Sequence, residues 1–470
     1  MQCRCDHNLE LHSMASTLIS PKVNSIPTNQ HLLPIPDGLS TELVQTAIDE
    51  CATRGGGTVI LGLGRYYCGT IVLRSNITLH LEAGAEIVAS VDINHFIRRD
   101  GVVMALIYAE GVQNIAITGK GTIDGNAIRF KKPTPDWVER KKGYGTYIPA
   151  SDSGIMGERL LATVVLADCR NVLMEDVRVV NSPRWTILPI GCDGVTMRRL
   201  AIRSPADACN GDGIDLDGCQ NALIEDCDIE TGDDCVCLKC TGQLGLQRPT
   251  RKIVVRRCNL RSTCHGFCIG HETQDDFEDV LVEDCTISGF GGHRVSTGFA
   301  IGMIDGAAIR NIRIRNITMT HVVSPMHIRL SNEGRNFRGL RTRSQEFGTI
   351  YIDMESRKRR QIGSIVEIAI LDLRVRDASG NSIISGLPGH ALRGISLTNV
   401  HVEFTGTLDP SLFLQEVPEI VGEYPSDPIW TCLPAYGFYC RHISGLSMEA
   451  VDIQTDVPES RPAVMKVDVV

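Results

Sequence analysis

Three stretches of this chain share one template: "CRNVLMEDVRVVNSP" from Cys169, "CDGVTMRRLAIRSP" from Cys192 and "CQNALIEDCDIETG" from Cys219. Apolar residues fall at i, i+2, i+5 and i+7. The sets are Val172, Met174, Val177, Val179; Val195, Met197, Leu200, Ile202; and Ala222, Ile224, Cys227, Ile229. The pattern continues with Ile253, Val255, Cys258, Leu260 and with Val280, Val282, Cys285, Ile287. Further copies begin at Ile312, Ile368, Ile395 and Leu446. Successive starts lie 23 (172 to 195), 27 (to 222), 31 (to 253), 27 (to 280) and 32 (to 312) residues apart. The steps of 56 (312 to 368) and 51 (395 to 446) read as about two repeats each. Dividing 470 residues by a typical domain size suggests about three domains, but a repeat of this kind makes one long body.

The i, i+2 pair has strand periodicity. The polar pair at i+3 and i+4, such as Glu175-Asp176 or Arg198-Arg199, breaks that alternation, so the second apolar pair reads as another short strand after a bend. No segment within the repeats is long enough to be a crossover helix, which disfavours a doubly wound α/β sheet. The expected fold is all-β, a single-stranded right-handed parallel β-helix. The 45 glycines, and aromatics at only 5%, suit many tight turns and aliphatic strands.

Cysteines follow the register. Cys169, Cys192 and Cys219 occupy i−3, and Cys227, Cys258 and Cys285 occupy i+5. Equivalent positions stack about 4.8 Å apart in such a solenoid, so these read as ladders of small buried thiols. A zinc site drawn from Cys235, Cys237, Cys240, Cys264 and Cys268 is the sharper alternative. No CxxC…CxxC pair supports it, so no metal or cofactor is expected.

Residues 1–36 lack periodicity and read as an extended or disordered arm ahead of one β-helix domain over 37–470. "STELVQTAIDECATRGGG", from Ser40 to Gly57, predicts a short amphipathic helix capping the solenoid, with Ser40 as N-cap and Gly55 ending it. Two segments break the repeat and read as long loops: about Ile128 to Arg159, and about Leu330 to Gly363, which is rich in arginine. The net charge of −9 argues against wholesale nucleic-acid binding. No run of 18 apolar residues predicts a membrane helix. With 18 cysteines and no visible signal segment the expectation is a cytoplasmic protein, with secretion or a periplasmic site as the alternative if a leader was removed. Oligomeric state is not legible.

"NGDGIDLDGCQNALIEDCDIETGDDCVCLKC", Asn210 to Cys240, spans about one coil. Asp212 and Asp234 are 22 residues apart, so Asp212, Asp233 and Asp234 are expected to cluster on one face from adjacent coils. Grouped carboxylates raise one another's proton affinity, so one stays protonated as acid while others act as base. Each alone also fits a turn, and a calcium site is a further reading. Asp215, Asp217, Glu225, Asp226 and Asp228 read as solvent-facing or turn residues. His265, in "STCHGFCIGHE", lies about one coil further on as a proton donor or orienting group. Lys239, on the strand after the Asp pair, is a candidate substrate contact.

At these residues the chain resembles the polygalacturonase family, glycoside hydrolase family 28, and its bacterial branch. The family's Asn-Thr-Asp-Gly, Gly-Asp-Asp and Gly-His-Gly motifs stand here as "NGDG" (Asn210 to Gly213), "GDDC" (Gly232 to Cys235) and "CHG" (Cys264 to Gly266). "ITGKGTIDG" from Ile117, "NSPRWTILP" from Asn181 and "LPAYGFYCRHISGL" extend the likeness over most of 36–465. The resemblance implies a pectin-lyase-like β-helix and inverting hydrolysis of a glycosidic bond in pectin-type polysaccharide or oligosaccharide, a step in cell-wall polysaccharide degradation. It implies Asp233 as general acid, Asp212 and Asp234 activating the water, His265 supporting the acid, and Asn210 beside the substrate. Gly211 replaces the first motif's Thr, and Cys264 the first Gly of the His motif. Ala300 and Gly302 fall where the family has an Arg and a Lys that hold galacturonate. Arg329, or the arginines at 335, 338, 341 and 343, are candidates to compensate, and rhamnogalacturonan is a candidate substrate. A polysaccharide lyase and a non-catalytic glycan-binding β-helix are the alternatives.

Overall fold

A computed structural model describes residues 30–33, 38–127, 159–206, 208, 210–332, 362–406, 416–421, 433–456 and 458–470. The segment expected to loop out before Arg159, most of that between Leu330 and Gly363, and Arg335, Arg338, Arg341 and Arg343 lie outside the described residues.

The chain winds as a parallel β-helix with three strand faces. On the first, Gly57–Leu61, Ile77–Leu81, Gln113–Gly119, Arg170–Glu175, Asp193–Arg198, Gln220–Glu225, Thr250–Arg256 and Phe277–Glu283 pair in turn, all parallel. The second runs from Gly64–Cys68 through Arg178–Val180 and Ala201–Arg203 to Thr286–Ser288. The third includes Trp185–Ile190, Ile214–Asp217, Val236–Cys240, His265–Thr273 and Val295–Met303. Later coils merge faces into long strands such as Ala308–Leu330 and Ser364–Ala378.

The sequence template is the register itself. Val172, Val195, Ala222, Ile253, Val280, Ile312, Ile368, Ile395 and Leu446 are consecutive partners on one ladder. Ile312 pairs directly with Ile368, and Ile395 with Leu446. The two long steps are therefore single coils with inserted chain, not two repeats each. Length alone could not separate these, because an insertion and an extra coil lengthen the spacing alike.

The polar pair makes the bend. Its second member has positive φ in successive coils: 67° at Asp176, 52° at Arg199, 56° at Asp226, 52° at Arg257 and 56° at Asp284. One residue in the left-handed region turns the strand and resets which side chains face inward. The pairs also alternate in sign along the axis. Arg199 Nε reaches Asp176 at 2.8 Å, Arg257 Nε reaches Asp226 at 2.7 Å, and Arg315 Nε reaches Glu283 at 2.8 Å.

Inside, the expected cysteine ladders form. Cys169, Cys192 and Cys219 stack in one row and Cys227, Cys258 and Cys285 in another, all as buried free thiols. Helix Thr41–Thr53 buries Val44, Ala47, Ile48 and Cys51 against the first coil. Ser40 stands at the N-cap position, but its hydroxyl donates to the Gly38 carbonyl rather than capping the helix. Gln30–Leu33, within the segment read as an arm, forms a strand paired with Gly57–Leu61.

Candidate active site

The third face positions the acids. Ile214 pairs with Val236, and Val236 with Phe267, so two residues earlier Asp212, Asp234 and His265 stand in one row on successive coils. The backbone confirms it: Gly213 N donates to the Asp234 carbonyl and Cys235 N to the His265 carbonyl. Glycines flank these residues because the chain is crowded there. A Cβ on Gly232 would lie 2.4 Å from the Pro205 carbonyl oxygen, and one on Gly266 would lie 2.5 Å from the Ile287 side chain.

Asp234 is buried and accepts a 2.6 Å hydrogen bond from His265 Nδ1. Burial alone would raise its pKa, but His265 and Lys239 hold it below the usual carboxylate range. Against burial, the neighbouring Cys264 and the pairing with Asp234 raise His265 well above the ordinary imidazole value, so it carries a proton. Asp233 moves the other way. It is half-buried, yet desolvation and the neighbouring Asp234 raise it. Its carboxylate accepts a 3.0 Å bond from Asn210 N, and its carbonyl is pinned by Thr231 and Ser262 hydroxyls, each at 2.7 Å. Asn210 is itself held by Arg159, which donates to its side-chain oxygen at 3.1 Å.

Asp212 is buried beside Asp215. Desolvation, then Asp215 and Asp233, push it well above its ordinary value, and burial pushes Asp215 up to about 7. Asp212 Oδ1 and both Asp215 oxygens make no hydrogen bond to a donor among the described residues, Lys239 standing at ion-pair distance from Asp215. A proton shared between the two carboxyls accounts for both facts. Lys239 Nζ closes the cluster, 3.7 Å from Asp212, 3.5 Å from Asp215 and 3.4 Å from Glu272. It is thus a buried counter-ion to three carboxylates, and Coulomb attraction keeps it charged against desolvation.

Three residues of this cluster escaped the sequence reading. Asp215 and Asp217 do not face solvent: both are fully buried, Asp217 accepting from the Thr241 backbone N at 2.8 Å and from its hydroxyl. Ile214 and Leu216 fill the core and leave 215 and 217 on the cleft side, which alternation alone does not distinguish from a solvated one. Glu272 arrives through a bulge. Leu238 pairs with Ile269 but Cys240 with Thr273, so Lys239 alone opposes Gly270 to Glu272. His271 comes with it, its ring 5.8 Å from that of His265.

Arg329 does not join the acids. It lies three coils beyond Lys239, about 14 Å along the axis. It is buried and donates to the Glu419 and Ile420 carbonyls, tying down the segment over that end of the face. Ala300 and Gly302 lie between, on the cleft side of a strand whose Phe299, Ile301 and Met303 fill the core.

A family model, glycosyl hydrolases family 28, matches residues 69–336, more than half of the chain. A probable polygalacturonase of Vitis vinifera is 29% identical over 303 residues, 60% of this chain and 57% of that protein's length. An endo-polygalacturonase of Pectobacterium carotovorum subsp. carotovorum is 26% identical over 342 residues, covering 69% of this chain and 80% of the relative. Among solved structures, a hyperthermoactive exopolygalacturonase from Thermotoga maritima superposes with a TM-score of 0.64 at 22% identity, over 84% of this chain and 91% of that one. The family 28 exopolygalacturonase of Yersinia enterocolitica gives 0.67 at 18% identity, over 94% and 78%. With its acids on the third face and this match across the coils that carry them, the chain belongs to glycosyl hydrolases family 28.

Proposed function

We propose that this chain hydrolyses an O-glycosidic bond in a pectin-type glycan, with inversion at the anomeric carbon. The observation that carries the reading is how two adjacent carboxyls are held: His265 Nδ1 donates to Asp234 at 2.6 Å and holds it low, while desolvation and Asp234 raise Asp233. A proton donor beside a proton acceptor is what glycoside hydrolysis requires. Water attacks the anomeric carbon opposite the leaving group, and Asp234 takes the water's proton. The carbon–oxygen bond breaks, and the leaving oxygen takes the proton of Asp233. His265 fixes Asp234 in its ionised form. Asp212, raised and tied to Asp215, orients the water by hydrogen bonding. The polygalacturonase names of the relatives support a uronate-containing substrate.

A rhamnogalacturonan-type substrate, with uronate next to a neutral sugar, is the second reading, favoured by one observation. On the C-terminal side of the acids the cleft-facing positions are Ala300 and Gly302, followed by His327 and by Arg329, which donates to the Glu419 and Ile420 carbonyls. Burial, then Arg329, His271 and His265, keep His327 neutral. A neutral imidazole suits a hydroxyl better than a carboxylate.

A panel of pectic and neutral glycans, followed for reducing ends and for unsaturated products, tests this. New reducing ends without unsaturation support hydrolysis. Unsaturated products would establish a lyase instead. Binding without any product would make this a glycan-binding β-helix.

A further inference from the structure

The acid row also carries a ligand set that overlaps the hydrolytic one: it takes in Asp234 and His265 and adds a thiol, Cys268, that hydrolysis does not use. Ligand atoms of Asp234, His265 and Cys268 all lie within 4.8 Å of one another, and all three residues are buried. A second trio, Asp233, Asp234 and Cys264, satisfies the same limit and shares Asp234. His265 and Cys268 come from one strand, three residues apart, and Asp234 from the coil before. Cys237, the register partner of Cys268, adds another thiol hydrogen-bonded to it. Asp212 Oδ1, in the same row one coil back, is buried and has no hydrogen-bond donor among the described residues besides the proton it shares with Asp215.

Carboxylate, imidazole and thiolate together form a donor set for a borderline-soft ion with few ligands. A hard cation such as Ca²⁺ takes six to eight oxygens and gains nothing from thiols. We infer that Zn²⁺ binds reversibly across Asp234, His265 and Cys268 and thereby blocks the active site. Coordination draws on the lone pairs with which Asp234 accepts a proton from water. It displaces the imidazolium proton of His265 and the thiol proton of Cys268 to solvent. The ion is an inhibitor here, not a participant in bond cleavage.

The inhibition arm of the test rests on the proposed hydrolase activity; the spectroscopic arm does not. The full chain is titrated with Zn²⁺ while hydrolysis is followed, and separately with Co²⁺ while thiolate-to-metal charge-transfer absorption is recorded. Cys268→Ser and Cys268→Ala are compared with wild type. Zinc is expected to inhibit wild type, with recovery on adding EDTA. Each variant should need at least tenfold more zinc for the same loss. The Co²⁺ difference spectrum, wild type minus variant, should show one thiolate band, which separates this site from other cysteines of the chain. A flat difference spectrum, or zinc inhibition equal in wild type and both variants, would overturn the site. If no glycan is hydrolysed, the function reading fails while the Co²⁺ result still decides the metal site.

Discussion

Two ladders run along the same solenoid and treat charge in opposite ways. At the bend between the first and second faces, Glu175-Asp176, Arg198-Arg199, Glu225-Asp226 and Arg256-Arg257 alternate in sign coil by coil. These pairs are half-open to water: Arg199 and Asp176 side chains are 45% and 35% exposed. On the third face the same stacking sets Asp212 against Asp234, with Asp233 and Asp215 alongside. There Lys239 and Asp212 are only 7% and 4% exposed. A single lysine serves three carboxylates, and protons make up the difference. Identical coil geometry thus gives a neutral, screened ladder in one place and a proton-holding cluster in the other. Charge pattern and burial decide which.

The largest break in that comparison comes from Asp233→Asn. Loss of the general acid should lower kcat by about 10²–10⁴-fold. The far-ultraviolet circular dichroism should stay unchanged, since the Asp233 carbonyl still accepts from Thr231 and Ser262. Lys239→Met comes next. It leaves Asp212 and Asp215 buried, and Glu272 partly buried, without their cation, and should cost about 3–5 kcal/mol in denaturant unfolding at neutral pH.

Two pH profiles sharpen the contrast. Activity requires Asp233 protonated and Asp234 ionised. It should therefore fall as pH rises through the raised pKa of Asp233, while the lowered pKa of Asp234 keeps the base competent well into acid. Stability should follow the same sign. The folded-state values of Asp217 and Asp215, about 6 and about 7, lie above the unfolded value near ~3.9. The folded chain then binds more protons across that window, so stability is greatest below it and declines as pH rises through it. Thermal melts of wild type and Asp215→Asn across the window measure this, the variant giving the shallower decline. The smallest effect belongs to the bend: Arg257→Ala, despite its bonds to Asp226 and Glu225, should cost at most about 1 kcal/mol and lose even that in high salt.

Much of this was legible in the chain. The i, i+2, i+5, i+7 pattern is the register because inward positions of a solenoid must be apolar in every coil. The polar pair marks the bend because its second residue is exposed and carries a positive φ. Asp212, Asp233, Asp234 and His265 followed from coil length. Asp215 and Asp217 were hidden because the cleft side of a strand resembles a solvated side when only alternation is read. Glu272 was hidden by a bulge, which changes which residue meets Lys239 without changing composition. Ser40 has the residue type of a cap, but its hydroxyl found the Gly38 carbonyl.

The central claim, that the Asp233–Asp234 pair works as acid and base of an inverting hydrolase, is tested most directly by proton NMR of the first turnover on a pectic oligosaccharide. The account predicts that the new reducing end first appears as the anomer opposite to the bond cleaved and then mutarotates. A first-formed product that keeps the anomeric configuration, or one bearing a double bond, would contradict it.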